Sequence, residues 1–268
     1  MKIGFCQYDV AYKDIERNMK TIESMLKDVT ADIVVLPELA LTGYYFKDKS
    51  TLARLCEEKH MTPMIERLRS IASKKDIAIV IGLGEVQDDS LYNTAYLIDH
   101  TGVIGKHRKI HLTDIESIFT AGETIDVFEV KGVKIGLSIC FDTWFPEMFR
   151  SLASKGADLV MVPANFGGSW TLDVLKVRAL ENSIPVVLSN RIGKEMIEDS
   201  VEYFRGESMV VDGFGNPLLR AFDQPQTGIV ELDVHAFSRN KSLICSHMDD
   251  EKNKYGQGKG LNDGQVND

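Results

Sequence analysis

Apolar positions along this chain follow two rhythms. Lys2-Ile3-Gly4-Phe5, Ile33-Val34-Val35-Leu36, Ile77-Ala78-Ile79-Val80-Ile81, Ile135-Gly136-Leu137 and Val186-Val187-Leu188 are short apolar runs that read as strands. Between them lie residues spaced close to every 3.6 positions. Ile15, Met19, Ile22, Leu26 and Val29 mark one helix face, and Met64, Ile65, Leu68 and Ile71 another, with Pro63 expected in that helix's first turn. Further on, Met148, Leu152 and Ala153 predict a helix that opens at Pro146-Glu147 and stops near Gly156; Leu172, Leu175, Ala179 and Leu180 predict the next. Asp99-His100-Thr101-Gly102 and Asp212-Gly213-Phe214-Gly215 carry turn chemistry.

The pattern repeats. Lys2-Ile3-Gly4-Phe5 recurs as Lys134-Ile135-Gly136-Leu137, and Ala31 to Pro37 recurs as Ala157 to Pro163. Ile77 to Ile81 parallels Ile184 to Leu188, and Thr94 to Gly102 parallels Ser208 to Gly215. Four correspondences in one order predict two copies of a unit: strand, helix, strand, helix, strand, hairpin. Each copy makes a sheet with helices on one face, and the other, apolar face must be covered. Packing two such sheets face to face gives an α/β chain layered helix–sheet–sheet–helix.

Composition narrows the classes. A chain of 268 residues is long enough to bury a core without staples. A formal net charge of −9 argues against nonspecific binding to nucleic acid or to acidic membranes. Cys6, Cys56, Cys140 and Cys245 are scattered without a Cys-x-x-Cys pair, so they read as free thiols of a reducing compartment. Met1 runs directly into a strand, without a signal peptide, and no apolar stretch is long enough to span a bilayer, so a cytoplasmic location is expected. Residues 1–248 are expected to form one domain. Residues 249–268, poor in large apolar side chains, are expected to be a flexible polar tail.

Three segments carry candidate chemistry. Cys140 ends an apolar run, shortly before the helix start at Pro146, where a thiol stands at a sheet mouth near a positive helix end. Glu38 follows Pro37, which ends ladder pairing, so its carboxylate emerges at a strand end. Lys109 sits in Lys106-His107-Arg108-Lys109-Ile110-His111-Leu112, with Glu116 and then Phe119-Thr120-Ala121-Gly122 downstream. Taken alone, Cys140 also fits a small core hydrophobe, and each charge fits a solvated surface.

Together, in the order Glu, Lys, Cys, the segments resemble the nitrilase (carbon–nitrogen hydrolase) superfamily, amidase-like branch, over about residues 2–233. The matching stretches are Leu36-Pro37-Glu38 with Thr42-Gly43-Tyr44; His107-Arg108-Lys109 with Leu112; and Cys140-Phe141-Asp142 with Phe145-Pro146-Glu147. Arg178-Ala179-Leu180-Glu181-Asn182, Ser189-Asn190-Arg191-Ile192-Gly193 and Gly206-Glu207-Ser208 also match, and Glu116 falls where many members carry a second glutamate. The resemblance implies a four-layer αββα sandwich of two similar halves with internal pseudo-two-fold symmetry. It also implies homodimers or higher homo-oligomers.

On that reading Cys140 is the nucleophile and Glu38 the general base, taking the thiol proton, passing it to the leaving amine and then activating water. A free thiol has a pKa of ~8.5, so the site must raise its thiolate content or take the proton during attack. Lys109, while protonated, serves as fixed positive charge facing the oxyanion, beside the backbone N–H of Phe141. By resemblance Glu116 orients Lys109 or the substrate amide. The cycle runs through a thioester to a carboxylic acid, with no cofactor and no metal. Tyr44, Trp144, Asn165 and Phe166 are candidate substrate contacts, with Phe119 and Trp170 as further aromatic wall candidates. The substrate is a small molecule. A small aliphatic amide or linear ω-amide comes first, N-carbamoyl compounds second and nitriles third; a catalytically silent binding protein is the rival class. His107 and His111, at i, i+4, lack the glutamate of a zincin helix. Gly82-Leu83-Gly84 lacks the third glycine of a dinucleotide loop.

Overall fold

The computed structural model describes residues 1–197 and 200–237. The first half runs β1 (Lys2–Gln7), α1 (Ile15–Leu26), β2 (Ile33–Val35), α2 (Lys49–Leu55), α3 (Glu58–Lys75), β3 (Ala78–Gln87), β4 (Ser90–Asp99) and β5 (Gly102–Arg108). β6 (Val127–Val130) links it to a second half of β7 (Val133–Leu137), α4 (Pro146–Ser154), β8 (Leu159–Ala164), α5 (Trp170–Asn182) and β9 (Val186–Asn190). A hairpin of β10 (Ile192–Ile197) and β11 (Ser200–Arg205) follows, then β12 (Met209–Val211), β13 (Pro217–Arg220) and β14 (Gln226–Glu231).

The duplication read in the sequence is a duplication of topology. One six-stranded sheet has the order β14-β1-β2-β3-β4-β5, and the other β6-β7-β8-β9-β12-β13. In each, the first three strands of the unit are parallel and the hairpin that follows is antiparallel. Each half also donates its last strand to the other half's sheet: β6 pairs with β7, and β14 with β1, both antiparallel. This reciprocal exchange lies outside the sequence expectation, because β6 and β14 have no strong alternation of their own. It ties the halves together covalently and by ladder hydrogen bonds.

Strand alternation sorts side chains between the layers. Ile3, Phe5, Ile33, Val35, Ala78 and Val80 join Ile135, Leu137, Met161 and Val187 in one apolar core shared by the two sheets. Their neighbours Cys6, Val34, Ile79 and Ile81 turn the other way and pack with Met19, Ile22 and Leu26 of α1 and with Met64 and Leu68 of α3. On the second sheet Gly136 meets Leu152 of α4.

α1 begins where Asp14 accepts the backbone N–H of Arg17 at 3.0 Å. α4 opens with Pro146 in its first turn, as expected, and ends before Gly156, whose φ is +86°. α3 departs from expectation. It starts at Glu58, so Pro63 lies inside it rather than in its first turn. Met61 is buried with Met64, Leu68 and Ala72, and this extra apolar turn offsets the backbone hydrogen bond that Pro63 cannot make. No helix among the described residues is long and apolar enough to cross a membrane. The segment 249–268 lies outside the described residues, as does Cys245.

Candidate active site

The predicted residues leave the carboxyl ends of strands, where open α/β sheets present their ligand crevices. β2 ends at Val35, and the chain turns through Pro37, Glu38 and Leu39, the last with φ of +46°. Gly82 N–H donates to Pro37 O (3.1 Å) and Ala40 N–H donates to Gly82 O (2.8 Å), pinning this turn against β3. β5 delivers Lys109, whose backbone is held by Asn93 O (2.8 Å) and Gly122 N–H (2.8 Å). Glu116 closes a 3₁₀ turn, Asp114–Glu116, in which its Oε2 accepts Thr113 N–H (3.0 Å) and Thr113 Oγ1–H (3.1 Å).

These three side chains meet. Lys109 Nζ lies 2.9 Å from Glu38 Oε1 and 2.6 Å from Glu116 Oε1, and all three are buried. Asn93 of β4 donates its Nδ2 to Glu38 Oε1 (2.7 Å) and to Glu116 Oε1 (3.3 Å), so an amide and an ammonium share the two carboxylates. Glu38 Oε2 is buried with no hydrogen-bond partner among the described residues.

Cys140 opens the 3₁₀ turn Cys140–Trp144 with φ of +44°, a left-handed conformation that a non-glycine residue holds only under constraint. The constraint is Asp142. Its carboxylate accepts Ile139 N–H (3.1 Å) inside the turn and Ile110 N–H (3.3 Å) and His111 N–H (2.9 Å) across from it. His107 Nε2 lies 3.0 Å from Asp142 Oδ2, and His111 Nδ1 lies 2.8 Å from Oδ1. Both ring nitrogens carry protons toward it, because an ionised carboxylate only accepts. Asp142 thus clamps the cysteine turn to the two histidines that flank Lys109. These histidines serve the clamp, and no group of metal-ligating side chains occurs among the described residues.

The sulfur of Cys140 accepts the backbone N–H of Asn165 and lies within electrostatic reach of Glu38, Lys109 and Glu116. The thiol stands at the strand end six residues before α4, as the sequence predicts, and is only 6% exposed. Burial, reinforced by the Glu38 and Glu116 charges, pushes its pKa well above the ordinary thiol value, and Lys109 and the Asn165 N–H only partly oppose this. Glu38 is likewise raised, by burial first and by Glu116, against the lowering effects of Lys109 and Asn93. Burial would lower Lys109, but the surrounding acidic groups, Glu38 foremost, outweigh it and hold the ammonium protonated.

Around this centre Tyr44 is buried and senses Lys109, Glu38 and Cys140. Tyr44 and Phe119 share an apolar cluster with Phe204. Asn165 is buried, and neither its Nδ2 nor its Oδ1 has a partner among the described residues. Phe166 is buried, with its N–H on Asn190 Oδ1 at 2.6 Å. Trp144 is partly exposed, its carbonyl taken by Arg178 Nη2 at 2.9 Å, and Trp170 is 76% exposed at the start of α5.

Sequence reasoning passed over three parts of this arrangement. Asn93 was detectable as an asparagine, a strand-averse residue, inside an otherwise regular strand pattern. Asp142 stands in the Cys140-Phe141-Asp142 motif, but its clamping role depends on histidines more than thirty positions earlier. The third part is a buried lock. Arg191 pairs with Glu195, stacks over Phe204 at 4.1 Å and donates to Val10 O at 2.7 Å, while Glu195 accepts Tyr44 N–H (3.0 Å) and Tyr45 N–H (2.8 Å). Gly43, with φ of +85°, leaves room for this carboxylate. The hairpin β10–β11 therefore holds the Tyr44–Tyr45 loop, over a sequence separation that no local pattern reveals.

Comparison with known proteins gives this geometry a family context. The model of the family described as carbon-nitrogen hydrolase matches residues 2–239. A nitrilase of Pyrococcus abyssi is 32% identical over 249 residues, covering 91% of this chain and 93% of that protein. An (R)-stereoselective amidase of Pseudomonas sp. is 34% identical over 230 residues, covering 84% and 81%. Among solved structures, a mutant of the amidase from Nesterenkonia sp. AN1, with acrylamide added at its active-site cysteine, aligns with a TM-score of 0.78. It is 27% identical and covers 92% of this chain and 99% of that one.

Proposed function

This chain belongs to the carbon-nitrogen hydrolase family, and from that premise we propose that it is a cysteine-dependent amidase acting on a small aliphatic amide or ω-amide. The products are ammonia and a carboxylic acid, released through a thioester on Cys140. The observation that carries the reading is the convergence of Glu38 and Glu116 on the buried Lys109 ammonium, within reach of the Cys140 sulfur.

Each role follows from the state of its group. Cys140 rests as a thiol, so its proton must leave as sulfur attacks the amide carbon. Glu38 is the base: burial raises its pKa above the ordinary glutamate value, which makes the ionised carboxylate a stronger proton acceptor, and its unpartnered Oε2 is the oxygen that takes the proton. Positioned proton transfer of this kind contributes about 10²–10⁴ in rate. The proton then goes to the departing nitrogen, the C–N bond breaks, and Glu38 takes a proton from the water that cleaves the thioester.

Lys109, held protonated, faces the oxyanion with the backbone N–H of Phe141 early in the cysteine turn. Losing one such donor typically costs about 3–4 kcal/mol of transition-state stabilisation. Glu116 orients Lys109. Asn165 contacts the substrate amide, since a buried side-chain amide without partners has hydrogen bonds left to make. Tyr44, Phe166 and Trp144 form the acyl pocket. Ammonia release from a panel of short amides tests the proposal: Cys140→Ala should abolish release while retaining the native unfolding transition. Unchanged turnover in that variant would refute the nucleophile assignment.

A further inference from the structure

One asparagine touches all three charged members of the cluster. Asn93 sits inside β4, opposite Gly84 of β3, and is 1% exposed. Its backbone carbonyl accepts Lys109 N–H at 2.8 Å. Its Nδ2 donates to Glu38 Oε1 at 2.7 Å and to Glu116 Oε1 at 3.3 Å. We propose that Asn93 is a positioning residue for proton transfer: by occupying Oε1 of both glutamates, it leaves Glu38 Oε2 as the oxygen that takes the Cys140 proton. The inference rests on the amidase reading. It adds how the base is chosen between two neighbouring glutamates and, within Glu38, between two oxygens.

Acceptor capacity carries the argument. A carboxylate has about four hydrogen-bonding sites, two on each oxygen. On Glu116 both oxygens are filled. Oε1 faces Lys109 Nζ (2.6 Å) and Asn93 Nδ2 (3.3 Å), and Oε2 accepts Thr113 N–H (3.0 Å) and Thr113 Oγ1–H (3.1 Å). On Glu38, Oε1 is filled in the same way, by Lys109 Nζ (2.9 Å) and Asn93 Nδ2 (2.7 Å). Its Oε2 is buried and has no partner among the described residues. A proton arriving at a filled oxygen displaces a charge-assisted hydrogen bond, and one arriving at Oε2 displaces none. The thiol proton therefore passes to Oε2 as sulfur bonds the amide carbon, and Glu116 keeps its contacts throughout.

Charge explains why an amide stands here. Two carboxylates around one ammonium leave an excess of negative charge in a buried site, and unpaired buried charge is costly. Asn93 sets two N–H dipoles between the Oε1 atoms without bringing a charge or a proton that can leave. The reverse orientation of the amide would turn its oxygen toward two acceptors, so the carboxylates themselves fix the donor side. Asn93 Oδ1 is buried with no partner among the described residues, so the side chain is held there through its N–H groups. Burial raises the pKa of Glu38 and the Glu116 charge adds to this, whereas the Asn93 hydrogen bond favours the ionised form that must accept the proton.

The test measures kcat and KM against pH for a short aliphatic amide that the wild-type chain hydrolyses. Asn93→Ala should lower kcat about ten- to a hundredfold, with KM held within about twofold. It should also move the acid limb of kcat/KM to higher pH, because ionised Glu38 loses a donor. Glu116→Gln should keep that limb and move it the other way, because a neighbouring negative charge is gone and the acceptor is untouched. Asn93→Asp, of the same shape, serves if the alanine variant fails to fold. Ionised, the new carboxyl repels Glu38; protonated, it offers one donor in place of two; either state moves the limb upward. A folded Asn93 variant with an unmoved acid limb would make the residue merely structural and overturn this inference. Loss of the limb in Glu116→Gln would overturn it too. In both cases the amidase reading stands as long as Cys140→Ala abolishes turnover. Failure of every short amide to turn over or to acylate Cys140 overturns that reading and this inference together.

Discussion

Gly82 makes the space that Glu38 occupies: a Cβ on Gly82 would stand 2.6 Å from Glu38 Cα and 3.0 Å from Pro37 O. Backbone cannot yield as a flexible side-chain tip can, so the turn carrying the proposed base has to move in Gly82→Ala. That variant should be about 1–3 kcal/mol less stable and at least about tenfold slower, because a shift on the order of 1 Å in a catalytic group is costly. Urea unfolding and ammonia release measured together check this. An alanine accepted at full activity would show that Glu38 does not need its observed position.

The Asp142 clamp predicts a pH signature in stability. Although burial raises its pKa, hydrogen bonds from His107 and His111 outweigh this and hold it well below the usual carboxylate range. A lowered folded pKa adds stability above the unfolded value of about 3.9, and that stability is lost as pH falls toward the folded value. Asp142→Asn should therefore unfold more easily at pH 7, by about 3 kcal/mol, and should show a flatter loss of stability between pH 4 and pH 2. Unfolding free energies across that acid range decide the matter.

Activity should show the raised Glu38 directly. The base must be ionised to accept a proton, so kcat/KM should climb with pH along a limb centred above the ordinary glutamate value of about 4.3. Glu38→Gln should lose that limb together with about 10²–10⁴ of the rate. The raised thiol predicts that iodoacetamide alkylates Cys140 more slowly at pH 7 than it alkylates a small free thiol, and faster as pH rises.

The Arg191–Glu195 lock holds backbone rather than reacting groups. Glu195→Gln should loosen the Tyr44–Tyr45 loop, raising KM several-fold with a smaller change in kcat. It should also destabilise the chain by about 3 kcal/mol, because Arg191 is left buried with a weaker partner. Steady-state kinetics and thermal unfolding separate these effects. A pure loss of kcat would place Glu195 in the chemistry instead.

Much of this molecule was legible in the order of its residues, and for physical reasons. Strand runs and helix periods are local, so β1, β2, α1 and α4 announce themselves, and the repeat of those runs carries the two-sheet layering. Glu38, Lys109 and Cys140 stood out because each follows a strand end with turn chemistry nearby. Less was readable where partners are distant. β6 joins its sheet through a local hairpin with β7, but β14 reaches its place only by pairing with β1 across most of the chain. Asn93 gains its place only when β4 lies against the Glu38 turn. His107 and His111 looked like a weak metal pair until Asp142, about thirty positions on, supplied the acceptor that both need.

On this mechanism Cys140 becomes acylated during turnover. Rapid quenching of the chain with a hydrolysed amide, followed by peptide mass spectrometry, tests it most directly. The peptide containing Cys140 should gain a mass equal to the substrate's acyl group and lose it on treatment with hydroxylamine. Sustained turnover with Cys140 unmodified at every quench time, or with the acyl group on another residue, would contradict it.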